Sequence, residues 1–379
     1  MIYLDNGATS YPKPDVVADT VSDYIRNVGS NINRGGYAKA YSAAEVVLET
    51  RDMVDKMMNG YGKRNAVFTP GNTYALNFLI KGLARRGDRF LISSMEHNAV
   101  YRPIHQLAEG GTIEAGYMPC NRDGELELDK ALSMIDEGLR AVVMVHASNV
   151  SGTLMPIEEV GKRCAEKGVI FIVDAAQTAG NTPIDMHKCH ISGLTIPAHK
   201  SMLGPQGLGM MLIDPAIKEE IVPLIAGGTG SHSDLATMPE EMPDRFESGT
   251  LNLPGIFGLH ASCKWLLEHG EEVSAHEKAL TQRMIDGILK IDDVRLAGLP
   301  SSEGRVGVIS VDFLKEDNAL VAFRLEQDYG IMTRVGLHCA PLAHKSLETF
   351  PEGTVRFSIG PFNTEEDIDE AIRAIKELA

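Results

Sequence analysis

A chain of 379 residues, 44% hydrophobic and 23% charged, is too apolar for a disordered protein and long enough for a large core plus a second domain. Its 52 acidic against 36 basic residues leave a formal charge of −16 with no dense lysine-arginine run, which opposes phosphate-backbone binding, so no nucleic-acid partner is expected. No apolar run reaches bilayer-spanning length and the start, MIYLDNGATS, lacks the layout of a signal peptide, so no membrane partner is expected and the chain reads as cytoplasmic.

From about residue 15 to 215, apolar strand-like runs alternate with amphipathic helical ones. The runs AVFTP, RFLISS, AVVMVHAS, GVIFIVDA, LTIPA and GLGMMLI are separated by segments such as TYALNFLIKGLAR and IEEVGKRCAEKG. Such alternation predicts an α/β fold with a mainly parallel sheet covered by helices. Residues 227–242, rich in glycine, serine and proline, predict a long loop, and a long helical stretch opens near GIFGLHASCKWLLEHGEEV. The C-terminal segments RVGVISVDFL, NALVAFRLEQDYG, TVRFSIG and TEEDIDEAIRAIKEL predict a small α+β domain. The expected division is 15–258 for the large domain and 1–14 plus 259–379 for the small one.

The five cysteines, Cys120, Cys164, Cys189, Cys263 and Cys339, are odd in number and form no CxxC pair, so neither a disulfide framework nor a zinc ribbon is expected. Cys164 and Cys263 fall among apolar helical residues and read as buried and inert. The group His187, Cys189 and His190 lacks a second ligand pair, so no metal is expected there.

Open parallel sheets bind ligands beyond the carboxyl ends of their strands. At that edge the chain concentrates polar chemistry: Gly71-Asn72-Thr73 after AVFTP, Glu96-His97 after RFLISS, Asn149 after AVVMVHAS, Asp174 and Gln177 after FIV, His199-Lys200 after LTIPA. Residues 71–73 at a helix start offer free N–H groups and a hydroxyl, which suits a phosphate, although a plain helix cap has the same composition. Asp174 closes an apolar run where an unpaired carboxylate is costly, so it meets a cation, a protonated ring nitrogen or a structural partner. Most lysines are solvated, yet Lys200 follows a buried strand and precedes the glycine-rich SMLGPQGLG. Taken together, a phosphate cradle, an acid for a pyridine nitrogen and a lysine for an aldehyde match the needs of pyridoxal 5'-phosphate, with His97 as a ring to stack over it.

The motifs LDNGATSYPKP, PGNTYALN, SMEHNAVYRP, HASNVSGT, VDAAQTAG, AHKSMLGPQG, RFESGTLN, RVGLHCAP and VRFSIGPFNT resemble, in order and spacing, those of class V aminotransferase-fold enzymes. The likeness is greatest to the cysteine desulfurases grouped with selenocysteine lyases. It implies the type I fold of pyridoxal phosphate-dependent transferases, a homodimer and that cofactor. By motif, Lys200 would carry the cofactor aldehyde, Asp174 would face the pyridine nitrogen, and His97 would stack on the ring. Gln177 and Asn149 would face its phenolic oxygen, Asn149 also lying near the substrate carboxylate. Asn72, Thr73 and His199 would serve the phosphate, with Thr250 reaching the neighbouring subunit's phosphate. Arg356 would clamp the amino-acid carboxylate, a task suited to a guanidinium. Asn33 and Arg34 would stand near the active-site mouth.

Cys339 in RVGLHCAP would be the nucleophile, with Arg334 and His338 close enough in sequence to favour its thiolate. Pro197 and Ala198 stand where relatives commonly carry a hydroxyl residue, so one phosphate contact is expected to be lost or replaced. The implied reaction converts cysteine to alanine and passes sulfur through a persulfide to an acceptor protein or scaffold. A selenocysteine lyase keeps the same cofactor and fold, and a noncatalytic sulfur-relay protein would have no need of Lys200, Asp174, His97 and Arg356 together.

Overall fold

The structure, a computed structural model, describes residues 1–32 and 35–379. Asn33 and Arg34 lie outside the described residues. After a short first strand, β1 (Ile2–Tyr3), seven strands build one sheet: β2 (Ala66–Thr69), β3 (Asp88–Ser93), β4 (Ile113–Met118), β5 (Ala141–Val145), β6 (Ile170–Asp174), β7 (Gly193–Pro197) and β8 (Gly209–Ile213). Their order is β2-β8-β7-β6-β5-β3-β4, and only β8 runs antiparallel, to β2 and β7. This is the α/β, mainly parallel sheet that the alternating pattern predicts.

Strands β2, β5, β6, β7 and β8 are buried at every position, which explains their unbroken apolar runs. Alternate side chains enter different cores: Val142 and Met144 of β5 join one, Ala141 and Val143 the other. The first core also takes residues from α2 (Ala38–Met57) and α6 (Ile157–Lys167), while α3 (Asn72–Leu83) and α4 (Asn98–Glu109) cover the opposite face. Strand β4 does not stand out in the sequence, because Glu114 and Gly116 interrupt its apolar residues; it is one edge of the sheet.

The helix Leu253–Ile288 crosses between cores. Leu253, Ile256 and Cys263 pack with the large sheet, whereas Leu280, Met284 and Ile288 pack in a third core. That core lies on a four-stranded antiparallel sheet, in which Arg334–Gly336 and Val308–Phe313 flank Thr354–Ser358 and Val294–Ala297 forms the far edge. The chain start joins it, since β1 pairs with Ile331–Met332 and Asp5 bridges Ser358. The expected loop at 227–242 holds no helix or strand. Among the described residues no helix is long and apolar enough to cross a membrane.

Candidate active site

The carboxyl edge of the large sheet and one face of the small sheet enclose a cavity of about 430 Å³. Its wall brings together Asn72, Thr73, His97, Asn149, Asp174, Gln177, His199, Lys200, Cys339 and Arg356. The antiparallel strand contributes its beginning rather than its end, so Gly207 and Leu208 also reach this edge. Thr250 does not: it is exposed in the segment just before the helix Leu253–Ile288, beside a separate hollow. Glu96 does not either. It is fully buried, accepting hydrogen bonds from Ser93 Oγ and from the Val145 amide at 2.9 Å, and burial pushes its pKa up to about 8.

Helix α3 starts at the cavity without a side-chain cap, so its leading N–H groups keep their capacity for an anion. The Asn72 side chain is directed elsewhere than the sequence suggests: its Nδ2 donates to Asp174 Oδ1 at 2.7 Å. Asp174 also accepts from the Ala176 amide at 3.0 Å. Burial raises the Asp174 pKa, opposed by the Asn72 hydrogen bond and by the charge of Lys200. A cation against this carboxylate would reinforce that opposition and hold it ionised.

The side-chain amine of Lys200 makes no hydrogen bond or ion pair among the described residues, and burial lowers its pKa to about 8, against the pull of Asp174. The two side chains therefore share a cavity and feel each other's charge. His97 is the N-cap of α4, its Nδ1 accepting from the Ala99 amide at 3.0 Å, which leaves the proton of the neutral ring on Nε2. Burial, then Lys200, lowers its pKa to about 4. His199 is lowered to about 4 for the same reasons in the same order. Its carbonyl accepts from Thr9 Oγ1 and Ser10 Oγ, each at 3.2 Å, which fixes the turn before the lysine. Gln177 Nε2 donates to the Gly7 carbonyl at 3.0 Å. Pro197 gives the cavity an apolar wall, and the Gln206 amide lines the cavity as well.

Arg356, in the middle of the small sheet, is 2% exposed. Its Nη2 pairs with Asp5 Oδ1 at 2.8 Å, Nη1 donates to the Asn149 carbonyl at 3.2 Å, and Nε is buried without a partner. Burial lowers the pKa of this guanidinium, with Asp5 opposing. The sequence assigns no role to Asp5, although it stands in the LDNGATS motif; its pairing across the whole length of the chain has no local signature.

Cys339 is exposed and follows His338 on a turn where both residues are left-handed, with φ of 57° and 47°. That conformation costs roughly 1–2 kcal/mol per non-glycine residue, so the loop needs fastenings. Three are present. Asn149 Nδ2 donates to the His338 carbonyl at 2.7 Å, the Asn98 amide donates to the Cys339 carbonyl at 2.7 Å, and His338 Nε2 lies 3.1 Å from the Thr354 carbonyl. His338 itself departs from expectation. Burial, then Arg356, pushes its pKa down to about 2, and a neutral ring gives a thiolate no charge stabilisation. Arg334 and Arg356 remain as guanidinium cations lining the cavity with Cys339. Cys164 and Cys263 are buried, which drives both thiols up to about 12.

The family model for class-V aminotransferases matches residues 2–371. The chain belongs to the class-V aminotransferase family. Among similar proteins are a probable cysteine desulfurase of Methanothermobacter thermautotrophicus, 30% identical over 100% of this chain and 94% of that protein, and one of Pyrococcus abyssi, 31% identical over 100% and 94%. Among solved structures, the apo cysteine desulfurase of Thermococcus onnurineus NA1 is similar with a TM-score of 0.92 at 29% identity, covering 100% of this chain and 94% of that one. The Escherichia coli cysteine desulfurase CsdA is similar with a TM-score of 0.88 at 25% identity, covering 99% and 94%.

Class-V aminotransferases depend on pyridoxal 5'-phosphate, and the cavity fits that group on its own terms. Buried polar atoms with no partner gather in its wall: Asn72 Oδ1, Asn149 Oδ1 and His199 Nδ1. With an uncapped helix start, an acid and an unpaired lysine beside them, these atoms are satisfied by a flat, polar, anionic ligand that carries an aldehyde.

Proposed function

We propose that this chain is a cysteine desulfurase, which converts L-cysteine to L-alanine and keeps the sulfur as a persulfide on Cys339. The reading is supported most by one observation: an exposed thiol on a fastened, left-handed turn lines the same cavity as Lys200 and Asp174.

On this reading the α3 start, Thr73 and His199 hold the cofactor phosphate, Asp174 its ring nitrogen, Gln177 and Asn149 its phenolic oxygen, and His97 covers the ring. Bound there, pyridoxal 5'-phosphate supplies an electron sink that acidifies the substrate Cα and labilises the Cβ–S bond. Arg356 receives the substrate carboxylate, and Asp5 keeps that guanidinium charged and aimed. Lys200, whose pKa is lowered to about 8, takes the Cα proton. The thiolate of Cys339 attacks the substrate sulfur; the new S–S bond forms as the C–S bond breaks. The electron pair of the broken bond stays with Cβ, which takes up a proton, and Cα recovers the one it lost, for which Lys200 is the donor.

Thr250, exposed just before the helix Leu253–Ile288, completes the phosphate site of a second copy in a homodimer. The persulfide then passes its outer sulfur to an acceptor protein or scaffold. The decisive test is Cys339→Ala. Persulfide on the protein and desulfuration of cysteine should both be lost while the visible absorbance of bound cofactor stays. An unchanged desulfuration rate with cysteine would overturn the assignment, and a rate lost with cysteine but kept with selenocysteine would favour a selenocysteine lyase.

A further inference from the structure

Glu277, on the long helix Leu253–Ile288, is a buried acid for which the proposed reaction has no use. Its carboxylate has one side-chain partner among the described residues, the Asn181 amide at 3.3 Å. Two cations stand near it, and neither pairs with it; the Nε of Arg305 is itself buried without a partner. Lys278 pairs with Glu303 at 2.7 Å, and Arg305 donates to the carbonyls of Leu299 and Val308. Glu277 makes no ion pair among the described residues, and burial raises its pKa to about 7.

The cavities around it make a series. A small one of about 30 Å³ shares Gly7, Gln177 and Lys200 with the active-site cavity. It is lined further by polar side chains, including Ser10, Ser201 and Ser358. A larger one of about 190 Å³ shares Asn181, Glu277, Val306 and Gly307 with the small one, and reaches the surface beside the exposed Lys278–Glu303 pair. A site holds a water molecule when it offers about 10–15 Å³ and two or more polar partners, so the small cavity has room for about two.

We propose that these cavities form a rear passage through which the proton held by Lys200 exchanges with solvent, with Glu277 as the relay between the inner water and the outer cavity. This rests on the reading that Lys200 takes the Cα proton. One proton leaves Nζ of Lys200 through water to the Glu277 carboxylate, and one returns from solvent by the same route, so charge and atoms are unchanged. The passage has no part in breaking the C–S bond; it sets whether the hydrogen taken from the substrate is lost or returned.

The test supplies the holoenzyme with cysteine carrying deuterium at Cα in ordinary water, and measures deuterium in the alanine by mass spectrometry. Wild type should lose most of the label. Glu277→Gln, which keeps the size and the contact with Asn181, should retain at least threefold more label per alanine. A second variant, Gly307→Ala, narrows the join between the two rear cavities, since its methyl would lie 3.3 Å from Thr281 Oγ1 and 3.4 Å from Ile359 Cβ; it should retain label likewise. Equal retention in wild type and whichever variants fold overturns the proposal, and so does a wild type that already keeps its label. If no alanine forms at all, the proposed reaction fails, and the passage is decided by a crystal structure: ordered water between Lys200 and Glu277 supports it, whereas a dry cavity overturns it.

Discussion

The side-chain amide of Asn149, beyond a strand of the large sheet, donates to the carbonyl of His338 at 2.7 Å and so ties the thiol-bearing loop to the cofactor side of the cavity. Removing that amide leaves the His338 carbonyl without its side-chain donor and frees a turn whose backbone is strained. An unmet buried hydrogen bond costs about 1–3 kcal/mol, which is about five- to 150-fold in rate if the bond serves to place the thiol. Asn149→Ala should therefore slow persulfide formation on Cys339 by that factor in single turnover, read by thiol alkylation and mass spectrometry. A rate equal to wild type would mean that the turn holds its shape unaided.

Lys200 sets a pH dependence before any substrate is present. Only the neutral amine condenses with an aldehyde, and its pKa of about 8 lies below the ordinary 10.5. The rate at which the cofactor-free protein takes up pyridoxal 5'-phosphate should rise about tenfold per pH unit below about 8 and level off above it, followed by visible absorbance. The same shift acts on stability. Between about 8 and 10.5 the unfolded chain binds a proton that the folded one does not, so this group makes the cofactor-free protein more stable as pH rises through that window. Lys200→Met should lose that rise in urea titrations, and a cofactor uptake rate flat from pH 6 to 9 would contradict the lowered value.

The sequence exposes what its local patterns encode. Unbroken apolar runs end in polar residues at one sheet edge, and those ends do converge, because a parallel sheet places every strand's carboxyl end on the same side. Long-range pairings are not encoded locally. Nothing near Asp5 announces Arg356, and nothing near His338 announces Thr354, although a histidine beside a reactive cysteine invites a charge argument that burial then cancels. Asn72 is legible as a helix start, but the partner chosen by its side chain follows from the sheet order that sets it against Asp174. The change from one core to the other has no linker to mark it, because one continuous helix of 36 residues carries side chains into both.

Asp5 yields a prediction of its own. It is the one carboxylate paired with Arg356 among the described residues, at 2.8 Å, with about a fifth of its side chain exposed (19%). Partial exposure screens such a pair, so Asp5→Asn, which keeps an oxygen acceptor, should cost about 1 kcal/mol in substrate binding. The expected result is a KM for cysteine raised about three- to tenfold with kcat within about twofold, since the carboxylate clamp is loosened while Lys200 and Cys339 stay in place. A loss confined to kcat would show that Asp5 acts on the chemistry and not on the clamp.

Gly353 tests how far the small sheet governs the thiol without touching it. The residue has φ of 78°, and a Cβ there would fall 2.4 Å from the carbonyl carbon and oxygen of Gly336, backbone atoms that cannot turn aside. Gly336 pairs with Thr354, the residue on which His338 rests. A methyl at 353 must therefore push the strand Arg334–Gly336 away from Thr354–Ser358 and carry the His338–Cys339 turn with it. Gly353→Ala should lower stability by about 1–3 kcal/mol, from strain at positive φ together with overpacking. It should also slow persulfide formation much more than it weakens cofactor binding, because Asp174 and Lys200 belong to the other sheet. Urea unfolding, cofactor absorbance and single-turnover alkylation separate the three effects. Equal losses in cofactor binding and in persulfide formation would show that the two sheets respond as one body and that the turn has no separate control over the thiol.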